Sequence, residues 1–317
     1  MQKTLLLVLI VISSVAYAQQ QPIARDTSFT LQSSFIKEKK KRPYIIIAAP
    51  EKPADIIFKP DIVYRNINGR ELVLDIFYPK KTHKRKPGVL LVFGGGWRSG
   101  DKTQNHAMAI ELAKKGYVAV SAEYRLSLEA AYPAAVQDLK GAIKWMRANA
   151  KKYGIDTTRI AALGCSAGGQ LAALLGTTNG IEHLEDNIND VLHSSTVQAA
   201  IDMDGILAFK HPESEEGTMA GQWLGGTYEQ KQETWKDASP LYHVNNNSVP
   251  ILFINSSSPR FHAGRIDMIH KLDSLHIYSE VHELPDTPHP FWFFHPWFDD
   301  VMKYSILFLN NVFKYEQ

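Results

Sequence analysis

The sequence of 317 residues predicts an α/β fold, a doubly wound and mostly parallel sheet with an inserted roof segment, and three observations carry that prediction. Residues 89–93, apolar throughout, suit a strand covered on both faces, and residues 117–124 read as another buried strand. They alternate with stretches of helical spacing, such as residues 134–152, in which Val136, Leu139, Ile143 and Met146 share one face. Glycine clusters stand where strands of such a sheet hand over to a loop or helix, at Gly94-Gly95-Gly96 and around Ser166.

Taken in order, residues 1–18 have the charge, the apolar run and the Ala16-Tyr17-Ala18 ending of a signal peptide, so cleavage after Ala18 is expected. The mature protein is then secreted or periplasmic. Residues 19–58 are polar, rich in Gln, Lys and Ser, and read as a loosely held arm with one strand at the apolar island 44–48. Residues 59–317 read as one domain. Residues 62–64 and 71–78 flank a turn at 66–70 and predict a hairpin. The strand at 89–93 empties into the triple glycine. A helix over 103–115 ends at Gly116, the strand 117–124 follows, and the helix over 134–152 is introduced by Pro133. A strand at 160–163 runs into Gly164, and another at 196–203 ends at Asp204-Gly205. Residues 211–247 break the alternation and read as a roof over the C-terminal strand ends, with Trp223 and Trp235 packing inside it. The strand 250–254, the helix 263–275, the strand 279–284, a loop at 286–290 and the helix 301–313 complete the chain.

Composition excludes several classes. A formal charge of +2 gives no reason to expect a nucleic acid or an anionic membrane as partner, and the basic run 37–42 reads as a solvated segment. No stretch after the leader is long enough to span a bilayer. Cys165 is the only cysteine, so no disulfide forms within the chain. None of the 12 histidines shows the paired spacing of a zinc site, and neither a metal nor a cofactor is expected.

The chemistry concentrates in Gly164-Cys165-Ser166-Ala167-Gly168. In a strand-turn-helix of this pattern the serine takes a strained conformation, and the positions two before and two after it must lack side chains so that strand and helix approach. Ser166 then projects at the sheet edge as a nucleophile. The N–H of Ala167, at a helix N-terminus, points toward developing negative charge. The triple glycine after the strand 89–93 can turn further N–H groups inward.

The order of these parts resembles the α/β-hydrolase family, in the lipase and esterase branch that includes bacterial acetyl-xylan and feruloyl esterases. The likeness covers about residue 61 to the C-terminus and rests on FGGGWRSGDK (93–102), EYRLS (123–127), YPAAVQDLKGAIKWM (132–146), GCSAGG (164–169) and a histidine after the last strand. It implies a serine hydrolase with Ser166 as nucleophile, His289 as general base, and Gly95, Gly96 and Ala167 as oxyanion donors. His289 is preferred to His295 because it comes first after the strand, between Pro288 and Pro290. Two departures stand out. Phe93 replaces the family's histidine ahead of the glycines, and Ser258 stands where its acid usually follows the strand 250–254. Three carboxylates are alternatives for the acid: Asp204 at the end of the preceding strand, ranked first, then Asp267 and Asp286. The resemblance implies a small-molecule or polysaccharide acyl ester as substrate, with acetyl on a plant-wall polysaccharide as the expectation. A prolyl-oligopeptidase-like peptidase and a non-catalytic carbohydrate-binding relic without its acid are the alternatives.

Overall fold

The structure, a computed structural model, describes residues 26–80, 84–185 and 192–315; the leader expected at 1–18 lies outside them. Helix α1 (Leu31–Lys39) and the short strand β1 (Ile46–Ile47) precede β2 (Ile56–Ile67), β3 (Arg70–Pro79) and β4 (Lys86–Val92). Next come α2 (His106–Lys114), β5 (Val118–Ala122), α3 (Ala134–Ala148), α4 (Ala150–Tyr153), β6 (Ile155–Cys165) and α5 (Ala167–Thr177). The second half runs β7 (Ala199–Met203), α6 (Thr218–Trp223), α7 (Tyr228–Asp237), α8 (Pro240–His243), β8 (Ile251–Asn255), α9 (Arg265–Ser274), β9 (Ser279–Glu283), β10 (Phe294–His295) and α10 (Trp297–Phe313).

Eight strands form one sheet in the order β2-β3-β5-β4-β6-β7-β8-β9. The hairpin β2–β3 and the β3–β5 pair are antiparallel, and every pair from β5 to β9 is parallel. After β4 the chain crosses to β5 on one side and then returns to β6 on the other. The C-terminal ends of β4 and β6 therefore flank the point where the winding reverses, the place at which such sheets hold ligands.

Burial explains the continuous apolar strands. Along β4, Leu90 and Val92 face a core shared with α3 and α5, while Val89 and Leu91 face a second core shared with α2 and α10. The strand's two-residue period sends neighbours to opposite faces, and both faces are covered. Residues 211–247 form the roof between β7 and β8, where Trp223 and Trp235 are buried.

Three sequence expectations need correction. The arm expected over 19–58 is not loosely held in its described part. Thr30 caps α1 reciprocally with Ser33, β1 pairs antiparallel with β10, and Phe29 and Phe35 meet Phe293 and Phe294 at ring separations of 6.2 and 6.1 Å. Its apolar partners lie far downstream, which no local reading reveals; β2 also begins at Ile56, inside the arm's expected bounds. The helix over 134–152 breaks at Asn149, whose Nδ2 donates to the carbonyl of Trp145 at 3.0 Å. The closing helix starts at Trp297 rather than 301, with Asp299 and Asp300 in its first turn, where carboxylates suit the positive end of the helix dipole.

Candidate active site

Ser166 sits between β6 and α5 with φ 55° and ψ −123°, a conformation held from outside by its N–H, which donates to the Met203 carbonyl at 2.7 Å. The flanking glycines explain themselves by distance. A Cβ on Gly164 would lie 1.9 Å from the Gly168 carbonyl oxygen, and one on Gly168 would lie 2.2 Å from that of Val92. Only two residues without side chains let strand and helix cross this closely.

His289, in the loop after β9, brings two distant groups together. Its Nε2 lies 2.8 Å from Ser166 Oγ, and its Nδ1 lies 2.9 Å from Asp204 Oδ2. An ionised carboxylate only accepts, so Nδ1–H donates to Asp204 and the bare Nε2 accepts from the serine hydroxyl. Phe261 stacks on the imidazole with ring centroids 3.5 Å apart and planes 12° apart, and Trp292 meets it edge-on at 5.2 Å. His295 lies elsewhere, with Nδ1 3.0 Å from Asp299.

Of the three candidate acids, the fold presents Asp204 to His289. Asp267 faces His211 at 3.1 Å, and Asp286 offers its backbone carbonyl to Arg42 at 3.5 Å. Asp204 directly follows β7 at φ 51°, and its Oδ1 accepts from the backbone N–H of Ser256 at 2.8 Å and from Asn255 Nδ2 at 3.5 Å. Asn255 is held in turn by Arg265 Nη1 at 2.8 Å. The loop after β8, where the resemblance expects an acid at Ser258, thus orients an acid from the neighbouring strand.

Two buried neighbours are electrically quiet. Burial, with the nearby charge of Asp204 adding to it, pushes the Asp202 carboxyl well above the ordinary carboxylate range, and its Oδ1 accepts from Gly205 N–H at 2.7 Å. Burial above all, with the charge of Asp204 adding to it, likewise pushes up the Cys165 thiol, which disfavours the thiolate next to the serine.

Gly95 and Gly96 follow β4 with φ 131° and 61°, conformations that glycine adopts freely. The Gly95 carbonyl accepts from Ser99 N–H at 3.0 Å and Ser99 Oγ at 2.9 Å, which closes the loop into a tight turn. Two braces hold it that sequence reasoning did not anticipate. Trp97 Nε1 donates to Gln170 of α5 at 2.9 Å, and its ring stacks on Trp223 of the roof at 4.8 Å. Phe93, in place of the family's histidine, stacks on Tyr124 at 4.4 Å while the Tyr124 hydroxyl donates to the Phe93 carbonyl at 2.9 Å. Ala167 begins α5, so its N–H stands at the positive end of that helix, and the three expected oxyanion residues line one pocket with Ser166 and His289.

That pocket has a volume of about 280 Å³ and is walled mainly by apolar groups, among them Phe29, Trp97, Phe209, Met219 and Phe261. Glu215 and Arg260 pair at its mouth at 3.0 Å. Among the described residues, no group of three or more His, Cys, Asp or Glu is placed to hold a metal ion.

Residues 74–260 match the family model BD-FAE. Esterase LipC of Mycobacterium tuberculosis is 33% identical over 193 residues, 58% of this chain and 47% of that protein, and the chain spans about half the length of the curated relatives it matches. Among solved structures, the bifunctional GH43-CE protein of Bacteroides eggerthii superposes with a TM-score of 0.69 at 25% identity, covering 80% of this chain and 38% of that one. Esterase 2 of Thermogutta terrifontis, solved with butyrate bound, gives a TM-score of 0.68 at 25% identity over 83% of this chain and 96% of that one.

Proposed function

The chain belongs to the BD-FAE family, and from that membership and its site we propose that it is a serine carboxylic-ester hydrolase acting through an acyl-enzyme. The observation that carries the reading is the single imidazole of His289 bridging Ser166 and Asp204 in a pocket that Gly95, Gly96 and Ala167 also line.

The steps follow from the donors and acceptors present. Ser166 Oγ attacks the acyl carbon as its proton passes to His289 Nε2. The imidazolium that forms is stabilised by Asp204, whose carboxylate already holds Nδ1. Charge on the former carbonyl oxygen meets the N–H groups of Gly95, Gly96 and Ala167, fixed before the reaction and therefore needing no reorganisation. Collapse breaks the ester C–O bond as Nε2 returns its proton to the leaving alkoxide. Water then attacks the acyl-enzyme, giving a proton to Nε2, and a second collapse frees the acid and the serine.

Within that class, the pocket of about 280 Å³ and the likeness to an esterase solved with butyrate support a short acyl group. Acetyl carried on a plant-wall polysaccharide is the substrate we propose, from the esterase branch and from the leader read at residues 1–18, which also makes the protein secreted or periplasmic. The parent protein should hydrolyse p-nitrophenyl acetate and release acetate from acetylated xylan, and Ser166→Ala should do neither. A Ser166→Ala protein with parental rates refutes the hydrolase. A parent active on the nitrophenyl ester but inert on xylan refutes only the polysaccharide, and an uncleaved N-terminus in the exported fraction refutes the leader.

A further inference from the structure

The segment before α1 enters the pocket just described. Ser28 and Phe29 line it together with Ser166, Gly96 and His289. Upstream of them, Asp26 Oδ2 accepts from Arg98 Nε at 2.5 Å, and Arg98 follows the triple glycine by two positions. The Arg98 Nη1 group donates to Gln222 of α6 at 2.5 Å. One guanidinium thereby joins the arm, the oxyanion loop and the roof. The backbone of Asp26 also pairs with that of Ser99 in an isolated parallel bridge.

The arm is fixed on its other side as well. Gln104 Nε2 donates to the Phe29 carbonyl at 3.4 Å, and the Phe29 ring packs 6.2 Å from Phe293. Asp26 Oδ1 accepts from the Ser28 N–H at 2.8 Å, which closes a small turn and aims Phe29 at the pocket. The bonds from Ser28 and then the charge of Arg98 hold the Asp26 carboxyl down to about 2, so it stays ionised wherever an esterase is assayed.

We propose that residues 26–29 are a working part of the ester site: Asp26 is a positioning residue that holds the oxyanion loop through Arg98, and Phe29 is a specificity-determining wall of the pocket. The inference rests on the hydrolase reading above. Its physical basis is that Gly95 and Gly96 have wide conformational freedom, and their N–H donors act only if held where charge develops. Trp97 and Ser99 brace the loop from within; Asp26 braces it from the outside. A half-buried ion pair at the protein surface adds little to global stability, so its effect belongs to the reaction rather than to the melting temperature.

The test uses the full chain with Asp26→Asn, Asp26→Glu and Phe29→Ala, each first checked for parental melting. Asp26→Asn should lower kcat on p-nitrophenyl acetate about tenfold with KM changed less than about twofold, the pattern of an interaction made in the transition state. Fluorophosphonate labelling of Ser166 should slow in parallel, and Asp26→Glu should recover most of both. Phe29→Ala should raise kcat/KM for bulkier esters relative to the acetate by about tenfold, either as the acyl chain lengthens or as the alcohol enlarges. Parental kcat and labelling in Asp26→Asn, or a Phe29→Ala protein in which neither ester series moves, overturns the proposal while loss of activity in Ser166→Ala leaves the hydrolase standing. A parent that neither hydrolyses esters nor labels overturns both.

Discussion

The ring of Phe261 lies parallel to the imidazole of His289, 3.5 Å away between centroids, and the guanidinium of Arg260 covers the region of its ring at 4.6 Å. The stack blocks rotation of the imidazole away from the line between Ser166 and Asp204. The face-to-face stack holds the imidazole by contact rather than by ring electrostatics, so Phe261→Ala should lower kcat/KM by about threefold to tenfold, on the order of 1 kcal/mol of lost positioning. Phe261→Tyr should keep the parental value. Steady-state kinetics with p-nitrophenyl acetate checks both, and a parental Phe261→Ala removes the stack from the mechanism.

Asp204→Asn should lower kcat by about four orders of magnitude, because an amide presents a donor to Nδ1 and leaves the imidazole in the wrong tautomer. Asp267→Asn and Asp286→Asn should remain near parental, since neither carboxylate is bonded to His289. The comparison of the three variants under saturating substrate distinguishes the assignment; an inactive Asp267→Asn or Asp286→Asn that melts normally contradicts it.

How far the sequence reaches is clearest at these same residues. The alternation of apolar strands and helices is legible because both faces of strands such as β4 are covered, and the turn at Ser166 is legible because its glycines answer a local steric need. The acid is not. Asp204, Asp267 and Asp286 are alternatives until β7 is placed beside β8, where Ser256 N–H meets Asp204 Oδ1. Ser258 reads only as the place of a missing aspartate, and the ring that Phe261, three positions on, lays on His289 is a contact made across the fold. The arm is illegible for the same reason: Asp26 and Arg98 are paired by tertiary structure alone.

Gly168→Ala should destabilise the protein and abolish activity together. Its new Cβ would lie 2.2 and 2.5 Å from the carbonyl oxygens of Val92 and Phe93, so α5 has to move away from β4 and carry Ser166 with it. Overpacking of this kind costs about 1–3 kcal/mol, visible as a lowered denaturation midpoint. Gly217→Ala, in the roof with no heavy atom within 4 Å of the added carbon, is the control and should melt as the parent does. An active, parentally stable Gly168→Ala would contradict the close crossing.

Asp202→Asn should gain stability relative to the parent as pH rises. The buried Asp202 carboxyl is held well above the ordinary carboxylate range, so the native chain keeps a proton that the unfolded chain has already released. Between those two values the native state binds more protons, and stability falls as pH rises. The amide is neutral at every pH and can still accept from the Gly205 N–H, so it keeps the turn that aims Asp204 while removing that slope. The two proteins should therefore differ least below the ordinary carboxylate range, with the gap widening as pH rises through neutrality. Urea unfolding of both at several pH values measures it; a gap that stays constant or shrinks with rising pH shows that Asp202 is ionised in the folded protein.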